Sequence, residues 1–543
     1  MQEGSCYPLS KRQKSDSNPP IADHNNIVID GDSNDCNGKE LKMPRRECRE
    51  DQKTLHIAPM IRVSNREFRQ LIRILSKRMT LWTEMVVDET IYFCSRSKSS
   101  PGIINREKVD VHLDYDRSVE HPIICQIGGI DPLHTAFTSK MMAEDYGYDE
   151  INLNMGCPSD RVSGKGFGAV LMKQIDRACE LVKTLKENCG NVPISVKLRI
   201  GVDDDEDFEF IRNLIERLRN AGCRRFYMHA RKVHLKGLNP AQNRIVPPLN
   251  YPIVYRLCEE FPECAFWLNG GISNLGAAKA IVFGQEPRIM MGNDKAVQHL
   301  VPCKLCNYSN GSCIAPPSRG NVPSNLRGCM LGRAAMDNPS LFWDCDRYFY
   351  GEAENPCRTR REVLDQYIDY LEKVYPRRCC DDRNDIQTNR IPAPPVIYTK
   401  DCCDLCSDWR KSKRHNSVTY KYAITCSSNS LDSASINTNK NAASLVSQAS
   451  KKKVKPKITT HVIRRSLRPV LGIFFGLSTS RCFRRKCEEL SQDARIRNCG
   501  PAFVLVSALR VVPDGFLDTE FVRTEDLQTS GIVEHISPQE CLS

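Results

Sequence analysis

The sequence predicts an α/β protein: a TIM (β/α)8 barrel followed by a small α-helical C-terminal domain, with a disordered tail and insertions. Three observations lead there. Eight short apolar segments of strand length recur from Leu55 onward, separated by stretches with helical spacing. The chain of 543 residues is 40% hydrophobic and 27% charged, enough for a large buried core carrying polar elaborations. Polar side chains gather at the C-terminal ends of the apolar segments, where barrels of this kind collect their sites.

Residues 1–50 mix Asp, Glu, Lys and Arg without an apolar signal core and read as a disordered tail. The expected strands are then Leu55–Met60, Thr80–Val86, Pro122–Gly128, Glu150–Met155, Pro193–Ile200, Arg224–Ala230 and Ala265–Gly270. The eighth has two candidates, Arg288–Gly292 and Gly328–Gly332, because 293–327 reads as an insertion followed by a second copy of the strand's end. If Gly332-Arg333 completes the site, the insertion loops out, which loop-closure entropy permits. Helical patterns fall at Arg66–Ser76, Leu133–Tyr146, Asp207–Asn220 and Leu275–Val282. A doubly wound sheet would need a glycine-rich turn after the first strand, and Ala58-Pro59-Met60 is not one.

The barrel domain is thus expected over 54–350. Arg360–Tyr375 repeats apolar residues at Val363, Leu364, Tyr367, Ile368, Leu371 and Val374, as a helix does. With 351–375 it starts a helical domain that resumes over 458–512, split by a low-complexity insertion at 376–457 and followed by a polar tail, 513–543.

Composition excludes several classes. No run approaches the roughly 18 apolar residues of a membrane helix, so no membrane association is expected. Asp16, Asp23, Asp30 and Asp32 disfavour a transit peptide, and the 27 cysteines are expected as reduced thiols in a cytoplasmic protein. Cys303, Cys306 and Cys313 lack a fourth ligand at ordinary zinc spacing, and Cys402, Cys403 and Cys406 are read the same way, so no metal is expected. The net charge of +12 is unevenly placed: Lys451–Cys487 holds twelve Lys or Arg and no acidic residue. That is a footprint for a polyanion such as nucleic acid. Lys451–Lys457 reads either as a nuclear localisation signal or as a solvated basic linker.

Candidate site residues follow the strand ends in order: Gln126, then Asn154 and Cys157, Lys197 and Arg199, His229 and Arg231, Asn269-Gly270-Gly271, and Gly332-Arg333. Glycines after the seventh and eighth strands are where such barrels bind phosphate. An amide, a lysine and an imidazole around one ring can hold a flavin and stabilise negative charge on it. Taken singly, Lys197 reads equally as a salt bridge, His229 as a core histidine and the glycines as a turn.

Together with Ala58-Pro59-Met60, Thr83-Glu84-Met85, Gln126-Ile-Gly-Gly129, Glu150–Arg161, Lys197–Gly201, His229–Lys232, Gly237–Pro240, Asn243-Arg244 and Pro247–Leu249, these stretches resemble the tRNA-dihydrouridine synthases. The likeness is closest to the bacterial-type A subgroup and covers roughly 54–375 and 460–512. It implies FMN bound by Pro59, Met60, Gln126, Lys197, His229, Asn269, Gly270, Gly271, Gly332 and Arg333. It further implies NADPH as reductant, a uridine of the tRNA D-loop as substrate, and Cys157 as the group that protonates it. Asn154, Arg199, Arg231 and Arg244 are expected to face the tRNA, with Arg481 and Arg484 matching tRNA-contacting arginines of the helical domain. Where the subgroup favours a lysine three residues before Arg244, this chain has Ala241. No stable protein partner is expected, hence a monomer. The rival readings are another FMN barrel oxidoreductase and a tRNA-binding homologue whose catalysis the insertion impairs.

Overall fold

The computed structural model describes residues 52–96, 104–284, 321–376, 458–493, 496 and 499–522. Its centre is a parallel sheet of β1 (Thr54–Ile57), β2 (Leu81–Val87), β3 (Ile123–Gly128), β4 (Glu150–Met155), β5 (Ile194–Arg199), β6 (Arg225–His229), β7 (Ala265–Asn269) and β8 (Leu326–Leu331), in the order β1-β8-β7-β6-β5-β4-β3-β2. The ends of that series meet. Ile57 N donates to Thr80 O at 3.1 Å and Thr80 N to Leu55 O at 2.9 Å, which closes the sheet into a barrel.

Parity along each strand divides the core. Ile123, Cys125, Ile127, Ile151, Leu153 and Met155 join the large apolar cluster shared with the surrounding helices. Trp82, Ile124, Tyr227, Trp267 and Met330, of the opposite parity, form a separate cluster inside the barrel. Tyr227 stacks on Trp267 at 4.6 Å, and Trp82 meets Tyr227 edge-on at 4.7 Å. His56 completes this floor as a neutral ring: it accepts from Trp82 Nε1 at 3.2 Å and lies 2.8 Å from Thr54 Oγ1, and burial pushes its pKa down to about 3.

Strand edges differ from expectation for local reasons. β1 stops at Ile57 because Pro59 has no N–H with which to continue the ladder. Of the two candidates for the eighth strand, Leu326–Leu331 is the one that pairs with β1 and β7, while Arg288–Gly292 lies outside the described residues. Leu326 and Arg327, expected within the insertion, belong to the strand. Asn325 anchors its start by donating to the carbonyls of Cys258, Phe261 and Cys264 at 2.9–3.0 Å. Gly328 is needed where β8 meets β1, since a β-carbon there would lie 1.8 Å from Thr54 O.

The helix Arg360–Val374 packs with Thr460–Leu467, Ser480–Gln492 and Pro501–Leu509 into a C-terminal helical unit. Residues 513–522, expected as part of a polar tail, are packed on the helical unit. Asp514–Asp518 is helical, Arg361 pairs with Asp514 and Asp518, and Phe521 stacks on Trp343 at 4.9 Å. Such a short element carries no readable period. The sequence-expected tail 1–50, the cysteines 303, 306, 313, 402, 403 and 406, and Lys451–Lys457 lie outside the described residues. Among the described residues no group of His, Cys, Asp or Glu could hold a metal, and no helix is long and apolar enough to cross a membrane.

Glu67 docks the helical unit on the barrel. Its buried carboxylate accepts from Tyr375 Oη at 2.6 Å and from Arg465 Nε at 3.0 Å. Glu67→Ala removes the shared acceptor and leaves the Tyr375 hydroxyl without its carboxylate. A loss of about 1–3 kcal/mol in urea unfolding is expected, and an unchanged midpoint would show that docking rests on apolar packing alone.

Candidate active site

Strand register sets the functional side chains next to one another. Asn154 pairs with Lys197, Arg199 with His229, His229 with Asn269, and Asn269 with Met330. All stand at the C-terminal mouth of the barrel, above the aromatic floor. Lys197 Nζ donates to Asn269 Oδ1 at 3.2 Å, while Asn269 Nδ2 donates to Met330 O at 2.8 Å, so the asparagine is oriented from both sides. Burial, and then the nearby Arg199 charge, brings the Lys197 pKa down to about 7. Burial and the cations Arg199, Lys197, Arg231 and Arg333 hold His229 well below its usual range, so its ring is neutral.

Cys157 lies half-buried on the loop after β4. Asn154 Oδ1 accepts from Gly156 N at 3.2 Å and from Cys157 N at 3.1 Å, and Cys157 O accepts from Ala169 N at 3.0 Å. The thiol therefore projects from a loop held by its backbone. It is within electrostatic reach of Lys197, Arg199 and Arg244, each of whose charged forms it favours.

Arg199 is only 3% exposed, and its guanidinium donates to Gly156 O at 3.3 Å, Lys232 O at 3.2 Å and Asn243 O at 2.8 Å. It ties the Cys157 loop to the segment after β6, which suits positioning better than direct contact with a large substrate. Arg231 Nη1 donates to Ile245 O at 3.4 Å and to Pro247 O, while its buried Nε has no partner among the described residues. Arg244 and Arg333 are exposed at the mouth, joined by Arg333 Nη2 donating to Arg244 O at 3.1 Å. Burial and mutual repulsion lower the pKa values of Arg231 and Arg244, with Arg333 the charge each feels most. Among the described residues no carboxylate pairs with Lys197, Arg231, Arg244 or Arg333. Like charges gathered without a counter-charge, Lys197 buried and Arg231 and Arg244 partly so, are a binding site for an anion.

Gly270 and Gly271 line the wall between β7 and the next helix at φ 117° and 71°. A β-carbon at Gly270 would lie 2.8 Å from His229 Cδ2, and one at Gly271 would lie 2.4 Å from Leu249 Cδ1. Only glycine satisfies both the left-handed backbone and the space. Gly332 turns β8 into the short helix Arg333–Asp337, with its β-carbon position 3.4 Å from Ala58 Cβ and 3.8 Å from Met60 Sδ. Pro59 and Met60 are therefore part of the same rim, where Met60 N donates to Ser64 Oγ at 3.0 Å.

The family model described as dihydrouridine synthase (Dus) matches residues 56–291. A protein of Synechocystis sp. named tRNA-dihydrouridine(20/20a) synthase is 34% identical over 319 residues, covering 59% of this chain and 78% of the relative. One of the same name from Vibrio cholerae is 34% identical over 320 residues, covering 59% and 80%. That of Escherichia coli K12 is 36% identical over 299 residues, covering 55% and 70%. The chain belongs to the dihydrouridine synthase family. It is of the bacterial type A kind, and the fold is the family's TIM barrel.

In this dihydrouridine synthase, Arg481 and Arg484 are exposed on the helix Ser480–Gln492, far along the chain from the rim, and Arg484 Nε donates to Leu471 O at 2.9 Å. Three buried residues escape a reading of strand ends alone. Asn152 and Ser195 lie one pleat below Asn154 and Lys197, and Asn243 pins the segment after β6 through His234, Leu238 and Asn239. The signal for the first two was the shared parity of Asn152 with Asn154 and of Ser195 with Lys197.

Proposed function

We propose that the barrel mouth binds FMN and that the chain, with NADPH as reductant, reduces the C5–C6 double bond of a uridine in the D-loop of tRNA. The observation that carries this reading is the gathering of Lys197, Arg231, Arg244 and Arg333 about neutral His229 at the mouth, without a counter-charge among the described residues. A flavin phosphate is an anion of the right kind for Arg333 and the glycines after β7 and β8, and the isoalloxazine edge takes partial negative charge that Lys197 meets. The donor set and the narrow glycine wall fit the group. Pro59, Met60, Gln126, Lys197, His229, Asn269, Gly270, Gly271, Gly332 and Arg333 would hold it.

When bound, FMN supplies the hydride that saturates uracil C6. The Cys157 Sγ–H delivers the proton to C5, and the thiolate left behind is stabilised by Lys197, Arg199 and Arg244. Asn154 fixes the loop that aims the thiol, and Arg199 holds that loop from its carbonyl side. Because the base must leave its stack to reach this mouth, Arg231 and Arg244 grip the RNA at the rim. The reading is tested by loading the purified chain with FMN, reducing it with NADPH and adding unmodified tRNA. Reoxidation on tRNA together with dihydrouridine supports it, and reoxidation by oxygen alone removes it.

Lys197 makes flavin binding depend on pH. With a pKa of about 7 before binding, it is mostly neutral at pH 8, whereas the bound ligand favours its charged form. Affinity should be flat below about pH 7 and fall above it, with proton uptake on binding seen by calorimetry in buffers of different ionisation enthalpy. Lys197→Met should abolish the uptake. A pH-independent affinity between pH 7 and 9 in the native chain would contradict this.

The helical unit is expected to contact phosphates, with the chain acting as a monomer in the cytoplasm. Replacing Arg481, Arg484 and Arg485 by Gln should weaken tRNA binding and lower its salt slope by about 0.7–0.9 per lost contact. Reduction of the flavin by NADPH should be unaffected. An unchanged slope would assign these arginines to something other than tRNA.

A further inference from the structure

Below the mouth, four buried polar side chains form a directional relay across three strands. The direction follows from its upper end. The backbone N–H groups of Gly156 and Cys157 can only donate, so the Asn154 group they meet must be its oxygen. Asn154 Nδ2 is thereby turned to Gln126, and donates to Gln126 Oε1 at 2.8 Å. Gln126 Nε2 then faces Asn152 and donates to its Oδ1 at 2.8 Å, and Asn152 Nδ2 donates to Ser195 Oγ at 2.8 Å. Gln126 N, donating to Thr83 Oγ1 at 3.1 Å, holds β3 beside β2 at the same level. Asn152 is 0% exposed, and Gln126 and Ser195 are each 1% exposed, so water cannot substitute for a missing partner. Each amide has one orientation that satisfies its neighbours, and reversing one reverses all of them.

We propose that Asn152 is a positioning residue for uridine reduction: it fixes the orientation of Gln126, and through it Asn154 and the loop that carries Cys157. The inference rests on the proposed role of Cys157 as proton donor. Its chemistry is selective. Without the Asn152 acceptor, Gln126 Nε2 is buried and unsatisfied, and the amide is held in this orientation by Asn154 Nδ2 alone. A Gln126 side chain that shifts to satisfy its nitrogen elsewhere gives up that bond, and so loosens the Asn154 acceptor for the Gly156 and Cys157 N–H groups. Misplacement of the thiol slows protonation of the base directly, whereas reduction of the bound flavin by NADPH needs no proton from the loop and feels the relay only through Gln126.

Asn152→Leu removes both hydrogen bonds at similar volume, and Asn152→Asp keeps the acceptor for Gln126 while Ser195 Oγ–H can turn to donate. Both are measured in stopped flow, with FMN bound, for reduction by NADPH and for reoxidation by tRNA. The expected result is a roughly 10–100-fold slower tRNA step in Asn152→Leu, a much smaller change in the NADPH step, and recovery of most of the loss in Asn152→Asp. Ser195→Ala, which opens only the far end, should show the same split with a smaller loss, and it stands as the test if Asn152→Leu does not accumulate. Equal loss in both half-reactions, equal impairment of the Asp and Leu variants, or native tRNA turnover in Asn152→Leu or, where that variant does not accumulate, in Ser195→Ala would overturn the proposal. If the native chain itself reduces no uridine, the functional reading fails instead.

Discussion

Cys157→Ala should fold and take up flavin as the native chain does, yet form dihydrouridine on the order of 10²–10⁴-fold more slowly. The hydrogen bonds that shape its loop run through the backbone: Cys157 N to Asn154 Oδ1, Ala169 N to Cys157 O, and Arg199 Nε to Gly156 O. Truncating the side chain removes none of them. What it removes is the only thiol at the mouth among the described strand ends, the proposed donor of the proton to uracil C5. Circular dichroism and bound flavin should match the native protein, while single-turnover reoxidation by tRNA collapses. Native turnover in this variant would assign the proton to another group.

Lys197→Ala should weaken flavin binding by roughly 10- to 150-fold, the equivalent of the ~1.5–3 kcal/mol of a hydrogen bond to a charged group. The loss is expected to exceed that at any single rim arginine. Arg231, Arg244 and Arg333 share one charge field and can compensate one another, whereas Lys197 is the cation bonded to Asn269 between β5 and β7. The same variant should behave distinctively without ligand. The native lysine is held below its unfolded value, so the unfolded chain binds more protons between about pH 7 and 10.5 and stability of the flavin-free protein rises with pH there. Lys197→Ala should flatten that rise. Full flavin affinity in the variant would mean that the lysine serves the barrel and not a ligand.

The barrel was legible because parallel strands buried on both faces read as dense apolar segments, and because Gln126, Asn154, Lys197, His229 and Asn269 break those segments at matching ends. Register, which sequence does not carry, is what joins them into one ring. The eighth strand was ambiguous because two stretches end alike, and the choice depends on Gly328 fitting against Thr54 and on Asn325 anchoring the start, both long-range contacts. In sequence Arg199 reads as a cation at the mouth that faces the tRNA. Only the arrival of three backbone carbonyls from distant loops makes it a buried tie. Asn152 and Ser195 look like ordinary polar positions of an alternating strand. Inside a closed barrel the same parity points inward, and a polar side chain there must find partners.

The decisive measurement is the mass of uridine in unmodified tRNA after incubation with the purified chain, FMN and NADPH. A D-loop uridine should gain two hydrogens, and the gain should be lost in Cys157→Ala while flavin reduction persists. tRNA bound tightly but returned with every uridine unchanged, beside a flavin that NADPH still bleaches, would contradict it and leave a tRNA-binding member of the family without its reaction.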